Sequence, residues 1–443
     1  MISDALRMTK AKPVKNSLLT PASEAYVWIW LPGATTPVVC GRIDHVDGVY
    51  HFTYGRSYLN RADAIPVWLP ELPLEDRIIV PAAPARIAGA LRDAAPDQWG
   101  RRVVLNRQFN MRGRDVETGD LDELHYLLMS GSDRIGALDF QASPTDYVPR
   151  TQGKASLQDL LNAASQVESG TPLSAELDEA LRHGTSIGGA RPKAQLVDEQ
   201  RKLIAKFASS QDTHNVVRSE YLAMHLARLV GLDVAAVDIE RVENKDVLLV
   251  ERFDRQHSDS GWARKAMVSA LTIQGLDELG ARYASYSAFA DVLRHRACNP
   301  TDDMKELWSR LVFNIIVGNT DDHARNHACF WDGRQIRLTP AYDIDPRPRL
   351  GREANLAMLI DGNDRRARLA SAIDAAGRFG LRKDKAIAIA SRQLEIIRDR
   401  FRHEADAAGL TRSDQERLAG RAFFNPYIFD GAPPEIAALE VPL

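Results

Sequence analysis

Cysteine is scarce in this chain. Cys40, Cys298 and Cys329 are the only three in 443 residues, and they lie far apart with no Cys-x-x-Cys spacing. That excludes a disulfide framework and a cysteine-rich zinc module, and it suits a reducing compartment. Charge of one sign is not in excess either: 57 Lys and Arg face 60 Asp and Glu, a net of −3. No global electrostatic attraction to nucleic acid or membrane follows, although local basic patches stay open. Long apolar runs are missing too. None approaches the roughly 18 residues of a spanning helix, and the N-terminal stretch lacks a signal-peptide core. The expectation is a cytoplasmic protein without a membrane partner, long enough for about two to four domains.

What is present concentrates between Gly318 and Asp345. Met304, Leu307/Trp308, Leu311/Val312 and Ile315/Ile316 repeat at helical spacing, and Gly318 is a natural stop. The run Gly318-Asn319-Thr320-Asp321-Asp322-His323-Ala324-Arg325-Asn326-His327 is therefore a loop. Asp332-Gly333 between the apolar runs Ala328–Trp331 and Gln335–Leu338 predicts a hairpin. Folding the chain back this way brings Asp343 beside Asp321 and Asn326. One Asp can then orient or deprotonate a hydroxyl, while Asn and the second Asp hold Mg²⁺ on phosphates. Asp-x-x-x-x-Asn followed by Asp after a hairpin is the protein-kinase spacing. Two other readings stay open at this point. Asp, Asn and Gly are ordinary turn residues. His323 and His327, at i and i+4, could bind zinc, though the metalloprotease Glu is absent and Gly318 has already ended the helix.

Earlier in the chain, Tyr26–Leu31, Val38–Ile43 and Val49–Tyr54 read as strands. Helical character begins near Ala83, continues through Ile87, Leu91 and Trp99, and returns over Asp120–Met129. Asp133–Phe140 reads as a turn into a strand. This is a small α/β module with no evident catalytic cluster; His45, His51 and His125 read as surface or satisfied core residues. After a linker and a helix at Leu157–Glu168 comes Gly184-Thr185-Ser186-Ile187-Gly188-Gly189-Ala190-Arg191-Pro192-Lys193. Glycine lets backbone N–H groups approach phosphate, because no Cβ intervenes. The pattern is not a Walker A loop.

Gln195–Val197 and Lys202–Phe207 form the next expected hairpin, with Lys206 inside the apolar strand. An uncompensated ammonium there is costly, so Lys206 either meets anions or points to solvent from an edge. A helix over Val216–Val230 carries Glu220 one position from its apolar face. Val234–Arg241 and Val247–Glu251 form a further hairpin leading into Glu251-Arg252-Phe253-Asp254-Arg255, the expected nucleotide hinge. Gly loop, Lys, Glu, hinge, Asp-x-x-x-x-Asn and Asp thus follow in the kinase order. Helices are expected over Arg368–Gly377 and Asp384–Glu404, with Arg392, Arg398, Arg400 and Arg402 on a solvated face.

Ser186–Lys193, Glu251–Asp254, Gly318–His327 and Pro340–Asp343 resemble the HipA family, and Pro96–Arg101 and Asp133–Leu138 resemble its N-terminal domain. The resemblance covers roughly residues 25 to 430. HipA proteins are serine/threonine kinase toxins of bacterial type II toxin–antitoxin modules. The resemblance implies Asp321 as catalytic Asp, Asn326 and Asp343 as Mg²⁺ ligands, and Lys206 as the ATP-binding Lys. It implies Ser186 as the autophosphorylated serine, with Thr185 beside it as an alternative acceptor. It also implies an aminoacyl-tRNA synthetase as substrate and a HipB-like helix-turn-helix antitoxin as partner, with operator DNA bound through that complex. Arg191-Pro192 and Arg325 depart from the best-known member's Gln-Glu and Lys, which leaves the target open.

The sequence thus predicts an α+β, two-lobed protein-kinase-like fold. Residues 1–24 are a flexible tail, 25–150 an N-terminal small α/β domain, 151–258 a small lobe with the Gly-rich loop, and 259–443 a mainly helical large lobe. ATP and Mg²⁺ are the expected cofactors. Nucleotide contacts are expected from Ser186, Ile187, Gly188, Gly189, Ala190, Lys193, Lys206, Glu251, Phe253, His323, Asn326 and Asp343, with Glu220 fixing Lys206. Competing functions are a nucleotide-binding co-repressor with little kinase activity, and a small-molecule phosphotransferase.

Overall fold

The turn Asp47-Gly48 has both residues at positive φ, 51° and 80°. That is the twist a two-residue hairpin needs, and Asp-Gly supplies it cheaply. It joins β2 (Val38–Val46) to β3 (Val49–Tyr54), with β1 (Glu24–Ile29) and β4 (Leu138–Gln141) completing an antiparallel sheet in the order β3-β2-β1-β4. This is a computed structural model, and it describes residues 22–109, 121–150, 156–169, 177, 191–198, 200–209, 212 and 214–441. Helices α1 (Gln98–Phe109) and α2 (Glu123–Met129) accompany this sheet. The second of them starts later than the sequence suggests, because the Asp122 side chain accepts from the His125 N–H and caps it there.

The second sheet contains β5 (Lys193–Asp198), β6 (Arg201–Phe207), β7 (Val237–Val242) and β8 (Lys245–Glu251) in the order β5-β6-β8-β7, all antiparallel. Its helices are α3 (Leu157–Ser169) and α4 (Val216–Leu229). The expected strand at Val234 begins at Val237 instead. Val234 bridges Ala341 in a different part of the chain, with the Ala235 N–H on the Ala341 carbonyl at 2.9 Å. A shared core of Trp99, Val103, Leu160, Leu161, Ala194, Phe207 and Val247 ties α1 to this sheet.

Beyond the β9–β10 hairpin (Arg255–Ser258, Gly261–Arg264) lies a third sheet of β11 (Ala266–Ser269), β12 (Ala328–Trp331) and β13 (Ile336–Leu338). Beside it lie α5 (Tyr286–Arg296) and α6 (Pro300–Val317), and α7 (Lys383–Ala407) packs on α6 and α4. Helix α6 opens with Pro300, carries Asp302 and Asp303 in its first turn, and ends at Gly318 with φ 72°. A Cβ on Gly318 would fall 2.7 Å from the Ala422 carbonyl oxygen, so both backbone angle and space require glycine. The expected helix Arg368–Gly377 is a shorter helix, Leu369–Asp374, followed by a 3₁₀ turn at Ala376–Phe379. The C-terminal Tyr427, Ile428 and Phe429 are buried. Among the described residues, no helix is long and apolar enough to cross a membrane.

Candidate active site

Lys206 lies in β6, an inner strand, opposite Lys193 of β5 and Leu248 of β8. The edge-strand alternative is thereby excluded. Its Nζ donates to Glu220 Oε1 of α4 at 2.5 Å and to Asp343 Oδ1 at 2.5 Å. Burial acts against the Lys206 charge, and the Asp343 and Glu220 carboxylates more than reverse that, holding its pKa above the ordinary value. Burial pushes the Glu220 carboxyl up to about 7, with Lys206 pulling it back. Burial opposes the Asp343 charge as well, yet Lys206 and Lys193 hold that carboxyl well below the usual range. Asp343 also adopts a left-handed backbone, φ 60°, which Asp tolerates better than most residues. Closely packed as it is, about two-fifths of its side-chain surface (41%) remains open to the cleft.

The loop from Gly318 is held from below by Asp322. This buried carboxylate accepts from Asn314 Nδ2 at 2.8 Å and from the Tyr286 hydroxyl, and meets His327 Nε2 at 2.8 Å. His327 thus faces the interior, whereas His323 lines the cleft, so the two do not form a zinc pair. Asp321, one residue before Asp322, is turned the other way. It is about half exposed (45%), and Arg347 Nη2 donates to its Oδ2 at 2.7 Å. Arg347 also approaches Asp345 at 3.4 Å, and Asp345 meets Arg191 at 4.0 Å. The Arg347 N–H donates to the Gly318 carbonyl at 3.1 Å, which fixes this segment on the loop.

From Glu251, the last residue of β8, burial alternates. Glu251 and Phe253 line the cleft, and Phe253 meets Phe330 edge-on and Tyr342 at a tilt, with centroids 5.9 and 5.7 Å away. Arg252 and Asp254 turn inward and pair at 2.8 Å. With Arg255 they close on Asp133, Arg134 and Gly136 of the first sheet's module: Arg255 Nη2 meets Asp133 Oδ1 at 2.8 Å, and the Gly136 N–H donates to Asp254 at 2.8 Å. Lys202 and Arg252 also pair with Asp133. Burial raises the Asp133 carboxyl, but Arg255, Arg252, Lys202 and Arg264 take it well below its ordinary value.

These elements enclose a cleft of about 1800 Å³. Lys193, Lys206, Glu220, Glu251, Phe253, Asp321, His323, Asn326 and Asp343 all line it. Ser186, Ile187, Gly188, Gly189 and Ala190 lie outside the described residues. Sequence reasoning missed Arg347 and Asp345, whose place beside Asp321 depends on the fold, and Asp97 of the N-terminal module, which also lines the cleft. Pro96-Asp97-Gln98-Trp99, already singled out as a motif, was the available signal. For a divalent cation, the fit rests on Asn326 and Asp343, both oxygen donors on the cleft wall. That small set suits Mg²⁺, which keeps several waters and shares phosphate oxygens. No cluster of three or more His, Cys, Asp or Glu with metal-holding geometry occurs among the described residues.

Known families divide the chain in the same order. Residues 34–141 match the HipA N-terminal domain, and residues 185–401 match the HipA-like C-terminal domain. The chain belongs to the HipA family. This HipA-family chain is 25% identical over 183 residues to the serine/threonine-protein kinase toxin HipA of Shewanella oneidensis, covering 36% of this chain and 42% of that one. It is 27% identical over 178 residues to Y4mE of Sinorhizobium fredii, covering 36% of this chain and 41% of that one. The matched stretch therefore spans about two-fifths of these relatives' length. A solved complex of Shewanella oneidensis HipA, HipB and operator DNA superposes with a TM-score of 0.63, covering 93% of this chain and 96% of that one at 17% identity. At that identity the likeness concerns the fold, and it bears out the α+β, kinase-like architecture expected from the sequence.

Proposed function

We propose that this protein is an ATP- and Mg²⁺-dependent serine/threonine protein kinase and the toxin of a toxin–antitoxin module. The observation that carries this reading is the Lys206–Glu220–Asp343 set facing Asp321 and Asn326 across one cleft. Lys206, fixed by Glu220, holds the α- and β-phosphates. Glu251 and Phe253 border the nucleotide's base at the hinge. Asn326 and Asp343 are the metal ligands; held there, Mg²⁺ would neutralise charge on the phosphate oxygens. Asp321 orients the acceptor hydroxyl and takes its proton at the carboxylate oxygen that Arg347 does not occupy. His323 and Lys193 complete the phosphate side of the wall, and Ile187, Gly188, Gly189 and Ala190 are the further proposed nucleotide contacts.

Family membership supports the finer parts of this reading. Ser186 is the proposed autophosphorylation site, and the proposed external target is an aminoacyl-tRNA synthetase. The proposed partner is a HipB-like helix-turn-helix antitoxin that carries the kinase onto operator DNA, as a cytoplasmic complex. The Shewanella structure, in which HipA sits with HipB and operator DNA, supports this assignment. A phosphoproteomic comparison of cells expressing the chain and its Asp321→Asn form tests the whole reading. A synthetase serine should be modified only with the parental protein. Identical phosphoproteomes would refute it.

A further inference from the structure

The N-terminal domain reaches the phosphate side of the cleft through one turn. Lys193 and Lys206 are directly opposite one another in the β5–β6 pair. Opposed residues share a face of the sheet, so two ammonium groups project side by side. Lys206 has Glu220 and Asp343 in contact. Lys193, only 4% exposed, has its ion-pair carboxylate from a different part of the chain: Asp97 Oδ2, at 3.8 Å. The Gly100 N–H donates to Asp97 Oδ1 at 3.1 Å, which fixes the carboxyl, while its buried Oδ2 accepts no hydrogen bond. Two residues on, the fully buried Trp99 donates its indole N–H to the Lys193 carbonyl at 3.1 Å. The same turn therefore holds both the backbone and the ammonium of Lys193.

We infer that Asp97 is a positioning residue for phosphoryl transfer: its carboxylate keeps the Lys193 ammonium charged and aimed beside Lys206, so the N-terminal domain completes the phosphate site. This rests on the reading that Lys193 and Lys206 face the nucleotide phosphates. Two effects oppose each other when Asp97 is neutralised. Removing a carboxylate near phosphate favours ATP. Leaving Lys193 buried beside a second ammonium, without the Asp97 carboxylate, weakens its hold on the proton and on its place beside Lys206. The second effect wins, because Lys193 would touch the phosphate whereas Asp97 stands behind it.

Calorimetry on the full chain with ATP and with adenosine separates the possibilities. Asp97→Asn should lower the ATP-to-adenosine affinity ratio about tenfold, the size of one charge-assisted contact. Asp97→Glu should recover part of it. Lys193→Ala should lose as much, and the double variant no more than either single one. If Lys193→Ala lowers the ratio and Asp97→Asn leaves it unchanged or raises it, the inference is wrong. If Asp97→Asn weakens ATP and adenosine equally, Asp97 serves only the fold and the inference is likewise overturned. An unchanged ratio in Lys193→Ala would overturn the phosphate-site reading itself, and the role of Asp97 with it.

Discussion

A lysine in the middle of a sheet must meet anions or lose its charge. Lys206 meets Glu220 and Asp343, one ammonium between two carboxyl groups. Removing the lysine leaves the buried Glu220 and the partly exposed Asp343 facing each other without the Lys206 cation, and breaking a fully buried pair costs about 3–5 kcal/mol, less where one partner meets solvent. Lys206→Ala should therefore lower the urea midpoint as well as ATP affinity. A variant of unchanged stability and unchanged ATP affinity would contradict the triad. Asp97 provides a pH signature. Burial pushes its carboxyl up to about 6, against the pull of Lys193 and of the Gly100 and Trp99 N–H groups. A raised folded value means the proton binds the folded state more tightly. The stabilising contribution is thus full below about 4 and lost as pH rises through about 6. Parental protein should gain stability relative to Asp97→Asn as pH falls from 7 to 4; parallel curves would refute this. At this scale the sequence was partly legible. Lys206 announced itself by being charged in an apolar strand. Asp97 looked like any polar residue before a helix, and its partner is nearly a hundred residues away.

Elements were the most legible level. The Gly318 helix stop and the Asp332-Gly333 hairpin follow from backbone requirements that few residues satisfy, and both stand where the sequence placed them. Which of two adjacent acids faces the cleft does not follow from such rules. Asp321 and Asp322 differ only in the direction the loop gives them, and Asp322 proves to be the internal anchor. Asp322→Ala strips an acceptor from Asn314, Tyr286 and His327, each of which then carries about 1–3 kcal/mol of unmet hydrogen bonding. The expected outcome is a loss of several kcal/mol in chemical denaturation and a lower kcat with little change in ATP affinity. Wild-type stability in that variant would mean that the loop is held by other contacts. The strand at Val234 was misplaced for a different reason. Its β-branched pattern is satisfied by a bridge to Ala341, a pairing set by tertiary structure.

At the scale of the whole molecule, Asp133 joins the N-terminal domain to the hinge by pairing with Lys202, Arg252 and Arg255. Deleting that carboxylate takes an anion from Lys202, Arg252 and Arg255 and leaves Asp254 to face the two arginines. Asp133→Ala should cost about 3–5 kcal/mol and make the hinge more sensitive to limited proteolysis. Parental resistance to protease would show the two parts to be held elsewhere. The order of parts along the chain was legible because kinase chemistry fixes it. The joint between them was not, since Asp133 and Arg252 stand in two separate motifs and nothing in either says that they meet. The central claim is that one cleft transfers phosphate from ATP with Asp321 as base. Intact-mass analysis of purified parental and Asp321→Asn protein, each incubated with ATP and Mg²⁺, tests it most directly. The parental chain should gain a phosphate that maps to Ser186, while the variant, slowed by at least about 10²-fold, should remain unmodified. Equal gain of phosphate by both proteins, or none by the parental chain, would contradict the account.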